Sequence, residues 1–432
     1  MVTSIVLPTS SAPRVSIVIV AARQPRLLER CLASLARQDA GVPFETIVVL
    51  NDALPEVATV AVDRLAGATV ITSPVALGLA GGLNRGRAAA CAEYLVSLHD
   101  DAEGEPGWLE ALVATADAHP EAGAVGSRML HADGTPQSLG SVLWSDGDVW
   151  TLGRGEDSLV PDSVAPTAVD YCGSAALLVR AATWDAVGGA DERFYPAYYV
   201  DVDLCLGVWT AGQAVLGDPV SRVRHRRGAS TEAQFREFLL RRNRALLRDK
   251  WREQLAAFEP PAPGSRAGLE RAVARAQERG RRARALAVET GVPRPRPPLD
   301  ALAQERRALE TALALERAWS RELRKDRQRA EARERMRAAA CHQEAAAERT
   351  RAATLQAALA AACEQRDHLA SEAAVLHRAA RCAAVETAAL RERAAVLAAI
   401  EDSRWWRLYQ RLLPLLRFFR RLTRRADASR RG

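Results

Sequence analysis

Long apolar runs are missing from this 432-residue chain: none approaches the roughly 18 residues a bilayer-crossing helix needs. The N-terminus lacks a charged-then-apolar leader pattern. The sequence therefore predicts a cytoplasmic protein whose membrane contact, if any, is peripheral. No C-x-x-C spacing occurs among the seven scattered cysteines, which excludes a disulfide frame or a cysteine zinc site. Proline and glycine are absent from about residue 299 to residue 400, so nothing there interrupts a helix.

The net charge of +7 is also unevenly placed, because residues 401–432 hold ten arginines against Glu401, Asp402 and Asp427. The remainder is balanced. An anionic partner is expected at that tip alone, and without any recognition motif beside the arginines nucleic acid is a poor fit. The segment interleaves Trp405, Trp406, Leu408, Leu412, Leu413, Phe418 and Phe419 with arginine around Pro414. That pattern predicts docking on an anionic membrane surface, with packing on the arm or on a partner as the alternative.

What is present divides at about Trp251. Up to there, short β-branched runs such as Val15–Val20 and Thr46–Leu50 alternate with helical patterns such as Pro25–Gln38, where Leu27, Leu28, Cys31, Leu32 and Leu35 are expected to share a face. Further strands are expected at Ala68–Thr72, Tyr94–Leu98 and Ala175–Val179. A glycine-rich turn is expected at Gly78–Gly82, a helix from about Leu83 to Ala92, and another over Leu204–Ala211. Alternation of this kind predicts an α/β domain with a mostly parallel sheet. Ligands of such sheets gather at the carboxyl ends of the strands, where Asn51, Asp52, Asp100 and Asp101 fall.

The expected organisation is an N-terminal tail (1–13), the α/β domain (14–251), a proline-bracketed linker with a short helix (252–299), a long helix or coiled coil (300–400) and the basic tail (401–432). Within the arm, Leu355, Ala362, Leu369, Leu376, Ala383, Leu390 and Leu397 fall seven apart. This alanine-rich seam reads as a homo-oligomeric coiled coil, as a lone charged helix, or as a helix folded back on itself.

Seven segments stand in the order seen in bacterial family 2 glycosyltransferases: VSIVIVAARQPRLLERCLASL, FETIVVLND, ALGLAGGLNRG, SLHDDAEGEPGWLEAL, VDYCGSAALLVRAATWDAVGGADERF, YYVDVDLCLGVWTAG and HRRGAS. The chain resembles members that add rhamnose or related sugars to surface polysaccharides. The resemblance covers about residues 14–250 and implies a GT-A fold, Rossmann-like, acting with inversion on a nucleoside-diphosphate sugar and a glycan or lipid-linked acceptor.

By the same resemblance, His99-Asp100-Asp101 stands at the D-x-D element that holds Mg²⁺ or Mn²⁺, with Asp101 and His225 as metal ligands. Asp201, in Val200–Asp203, stands at the catalytic base, which an acceptor hydroxyl requires because it is a weak nucleophile until its proton is drawn off. Asp203 is expected to orient its helix. Ala21, Asn51, Asp52, Gly78, Asn84 and Asp100 stand with Asp101 at the nucleotide-sugar site, and Gly173 and Ser174 at the acceptor site. Trp184 is expected in the core. The chain departs from the pattern at Ala21-Ala22-Arg23, Leu50, His99 and Val200, which raises the alternative of a catalytically weak domain acting as a scaffold through its arm.

Overall fold

A computed structural model describes residues 4–38, 41–154, 164–226, 232–261, 265–287 and 301–360, together with helical residues between 377 and 395. The tail from residue 401 onward, and most of the predicted seam, lie outside the described residues.

The first strand, β1 (Val15–Ala21), is apolar along nearly its whole length because both its faces are covered. Helix α1 (Pro25–Ala36) begins with proline at its first turn and buries Leu28, Cys31, Leu32 and Leu35. There follow β2 (Phe44–Asn51), α2 (Pro55–Asp63), β3 (Ala68–Ser73), α3 (Gly78–Ala89) and β4 (Tyr94–Leu98). These four strands run parallel in the order β3-β2-β1-β4. Succession reverses at β1: β2 and β3 lie to one side of it and β4 to the other. This opens a crevice at the carboxyl ends of β1 and β4.

The chain continues through α4 (Trp108–Ala118), β5 (Ala122–Leu130), β6 (Ala176–Arg180), α5 (Val200–Thr210) and β7 (Ala214–His225). Strand β6 inserts between β4 and β5 and runs antiparallel to both, whereas β7 is parallel to β5. The sheet is therefore mixed on this side, not uniformly parallel. Among the described residues no crossover helix separates β5 from β6. Instead, the intervening residues include a hairpin, Gly140–Leu143 with Val149–Leu152, and a short strand at Pro136–Ser138 paired with β5.

The glycine-rich segment is not a turn before a helix; it is the first half of α3. Gly82 and Gly86 face β1 four residues apart, and a Cβ at Gly86 would lie 2.3 Å from Val18 Cγ1. At Gly82 the same atom would lie 2.6 Å from Val20 Cγ1. Close helix-on-strand packing explains these glycines. Gly86→Ala is expected to destabilise the domain by about 1–3 kcal/mol, measured by chemical denaturation, because the added methyl must displace a fully packed strand.

Packing does not end at Trp251. After α6 (Ala233–Lys250) the chain enters α7 (Arg266–Ala287), whose Leu269, Ala272, Ala276 and Ala283 join the main core. Asp170 is completely buried and is bound by Arg275 and by Arg279, the latter at 3.0 Å. The segment expected as a linker is thus part of the domain, and the first compact unit runs to Leu313.

Helix α8 (Ala301–Ala360) begins in that unit, with Gln304 buried and donating to Gly81 O at 2.8 Å. In the second unit, Arg393 pairs with Glu334. On one straight helix these residues would stand about 90 Å apart at ~1.5 Å per residue, so the two stretches lie side by side. Among the described residues no helix is long and apolar enough to cross a membrane.

Candidate active site

The crevice at the ends of β1 and β4 collects most of the predicted residues. At the end of β4 the chain runs directly into His99, Asp100 and Asp101. His225 reaches the same place because the last residues of β7 pair antiparallel with Ala102–Gly104, setting His225 opposite Ala102. The Arg226 backbone N–H also donates to Asp101 O at 3.1 Å. His225 Nε2 lies 3.3 Å from Asp101 Oδ1, and His99 Nδ1 lies 3.8 Å from the same oxygen. One ligand atom from each of His99, Asp101 and His225 falls within 4.8 Å of the others. Two neutral-capable imidazoles and a carboxylate form a donor set that suits a divalent cation.

Electrostatics favour the same use. Burial raises the Asp101 carboxyl, but the His225 hydrogen bond and the two imidazoles outweigh it and hold the group below its ordinary value. Burial pushes His99 down to about 4 against the opposing pull of Asp101, with His225 lowering it further, so its imidazole is neutral at neutral pH. Asp100 is pushed up to about 7, first by burial and then by Asp101.

Gln137 was not visible in the sequence as a site residue. Its side chain is buried and its Oε1 lies 2.8 Å from His225 Nδ1, while Nε2 donates to His225 O at 3.1 Å. A carbonyl only accepts, so the amide nitrogen must face it, Oε1 must face the ring, and His225 Nδ1 carries the proton. The ring's Nε2 is thereby left facing Asp101 Oδ1. The short strand Pro136–Ser138 and its pairing with β5 bring Gln137 here, a long-range contact with no local signature.

Asp201 sits in the first turn of α5, where its Oδ2 accepts the Ser174 backbone N–H at 3.1 Å and its Oδ1 the Val202 N–H at 3.0 Å. Burial raises this carboxyl above its ordinary value, and those backbone donors offset the rise only in part. Ser174 has a second contact: its Oγ lies 3.1 Å from His99 Nε2. It therefore joins the predicted base to the histidine-aspartate cluster. A Cβ on Gly173 would lie 3.8 Å from Asp201 Oδ2, so the position leaves space beside the carboxylate.

The turn entering α5 is strained, since Tyr198 and Tyr199 have φ of 70° and 66°. Asn243, fully buried on α6, holds it by donating to Ala197 O at 2.9 Å and Tyr198 O at 3.0 Å. The sequence carried a clue: Asn243 lies between Leu239 and Leu247 at four-residue spacing on the buried face of a charged helix. Asp203 is bound by Lys250 Nζ and by Trp251 Nε1, both at 2.7 Å, which anchors α5 to the end of α6.

Other expected nucleotide residues have structural partners. Asn51 Oδ1 accepts the Leu77 N–H at 2.6 Å and shapes the approach to α3. Asn84 is buried; its amide donates to Ala190 O at 2.8 Å and Glu192 Oε1 at 3.1 Å, and its Oδ1 accepts the Ala190 N–H. Both its N–H groups are taken up in bracing α3. Gly78, with φ +70°, packs against Tyr195 and Pro196, where a Cβ would clash at 2.8 Å. Asp52 remains at the crevice mouth, paired with Arg23 at 3.0 Å, whereas the Ala21 and Leu50 side chains are buried. Trp184 lies in the core as expected.

The sequence profile described as "Glycosyl transferase family 2" matches residues 16–186. The chain is 28% identical over 235 residues to the O-antigen biosynthesis protein RfbC of Myxococcus xanthus, covering 52% of this chain and 18% of that protein. It is 27% identical over 230 residues to the N-acetylglucosaminyl-diphospho-decaprenol L-rhamnosyltransferase of Mycobacterium tuberculosis, covering 47% and 73%. A pre-mycofactocin glycosyltransferase of the same species is 30% identical over 40% of this chain and 34% of its own length. The chain thus spans 18% and 34% of the length of two of these three curated relatives. Among solved structures it is similar to GalNAc-T7 with UDP, GalNAc and Mn²⁺, at 15% identity and TM-score 0.47, covering 56% of this chain and 49% of that one. The profile match, which runs from β1 through β6, identifies residues 16–186 as a family 2 glycosyl transferase domain.

Proposed function

We propose that the domain transfers a sugar from a nucleoside-diphosphate donor to a glycan or lipid-linked acceptor, inverting the anomeric centre, with Asp201 as base. The observation that carries this reading is the linkage through Ser174 of a buried, proton-seeking carboxylate to a cluster with cation-binding chemistry, at the crevice where such sheets take ligands. Asp201 would accept the proton of the attacking hydroxyl, and burial strengthens it for that task. Asp101 and His225 would hold Mg²⁺ or Mn²⁺, which when bound offsets the charge developing on the departing diphosphate. Asp52 and Arg23 stand at the entrance to the donor side, and Gly173 leaves room for the acceptor beside Asp201.

The rhamnosyltransferase named above supports a lipid-linked acceptor and a deoxysugar donor. The same reading places the basic tail at the anionic inner face of the cell membrane and the arm in a homo-oligomer; both rest on sequence alone.

The test is nucleoside-diphosphate release from a panel of UDP-, GDP- and dTDP-sugars with lipid-linked acceptor extract. Donor-specific turnover is expected. Absence of both binding and turnover across the panel would replace this reading with that of a scaffold. A second measurement probes the outer support of the cluster. Gln137→Ala is expected to weaken Mn²⁺ binding by about 10–100-fold, read by titration calorimetry, because the His225 ring loses the acceptor that fixes its tautomer.

A further inference from the structure

The proposed function needs only Asp101 and His225 as protein ligands, yet the cluster contains a third donor. His99 replaces an acid with an imidazole, and its Nδ1 lies 3.8 Å from the Asp101 oxygen that His225 Nε2 approaches to 3.3 Å. The two rings meet edge to face with centroids 5.7 Å apart. Each ring has its outer nitrogen engaged by a neutral group, Ser174 Oγ for His99 and Gln137 Oε1 for His225. Both inner nitrogens therefore face one carboxylate oxygen. All three donor atoms lie within 4.8 Å of one another, so a closing movement of a few tenths of an ångström brings the set within the roughly 2.0–2.3 Å reach of a single ion.

We infer that His99 is a ligand in its own right through Nδ1, and that this two-imidazole, one-carboxylate site selects a transition-metal dication such as Mn²⁺ or Co²⁺ over Mg²⁺. The inference rests on the cluster being a metal centre. Its chemical basis is that Mg²⁺ keeps several waters and favours carboxylate or phosphate oxygen, whereas imidazole binds first-row transition metals progressively better along the series. An acid at position 99 would give the opposite bias. The Ser174 contact also acquires a purpose, since an outer partner that orients a ligating imidazole is part of how such sites are built.

The experiment uses the full chain loaded with Mn²⁺. Electron spin-echo modulation counts the directly bound imidazole nitrogens, and competition against Mg²⁺ gives the selectivity. Two nitrogen couplings are expected in the wild type and one in His99→Ala. In His99→Asp, which keeps a ligand and a polar side chain, the Mn²⁺ preference over Mg²⁺ should fall by about tenfold or more, a loss of the size that even outer partners of a ligand contribute. A single coupling in the wild type, or an unchanged preference in His99→Asp, overturns the inference. If EDTA-sensitive turnover persists in either case, the two-ligand reading stands. Failure to bind Mn²⁺ at all, with turnover indifferent to EDTA, overturns both.

Discussion

Asp201→Asn is expected to lower turnover by about 10²–10⁴-fold, the range over which a positioned general base contributes, while donor affinity stays within a factor of about two. The substitution keeps the shape of the side chain and an oxygen able to accept the Ser174 N–H, so α5 and its strained entry should persist. What disappears is the capacity to take a proton. A pH profile separates this role from a packing role. A base must be ionised, so kcat/KM should fall as pH drops through the Asp201 pKa, and burial places that acid limb above the ordinary carboxylate range. Equal losses in kcat and in donor binding, or an acid limb that survives in Asp201→Asn, would remove Asp201 from the chemistry.

The second large effect concerns the cation. Chelation with EDTA, or Asp101→Asn, should reduce turnover by about 10³-fold, since stabilising a leaving diphosphate by a dication is worth several kcal/mol and each tenfold is about 1.4 kcal/mol. The two treatments differ in reversibility. Added Mn²⁺ should restore the chelated wild type and leave Asp101→Asn inactive, because the carboxamide lacks the charge on which both histidines converge. Full turnover of Asp101→Asn with Mn²⁺ would move the metal, if one acts, to other residues.

The parts of this domain that could be read from the chain are those where one residue type serves one purpose locally. The run VSIVIVA had to be a strand covered on both faces, and the spacing of Leu28, Cys31, Leu32 and Leu35 had to be a helix on one of them. Asp101, His225 and Asp201 could be singled out in the sequence as candidate residues from their type and order. Position alone did not reveal which neighbours support them, because Gln137 arrives through a three-residue strand and Asn243 from a helix some forty residues after Asp201. The glycines misled for a related reason. Gly82 stood in a segment that reads as a turn, but with Gly86 it serves the approach of α3 to Val20 and Val18. Asn84, in the same segment, braces the loop that carries Glu192, a contact with no local signature. Antiparallel β6 was illegible because strand direction depends on the route through the intervening hairpin, which short apolar runs do not encode.

The Asp170 clamp bears on how this protein can be cut. The profile match stops at residue 186 and the sequence pattern at about 251, but among the described residues Asp170 is neutralised by arginines at 275 and 279. A gene trimmed to the region of similarity would therefore encode a carboxylate sealed inside the sheet with no counter-ion, alongside a bare apolar strip where α7 had lain. Such a fragment would be expected in inclusion bodies, whereas one ending after Leu313 would retain every partner of that acid. The smallest portable piece of this protein is set by ion pairing across a hundred residues, not by the extent of its kinship.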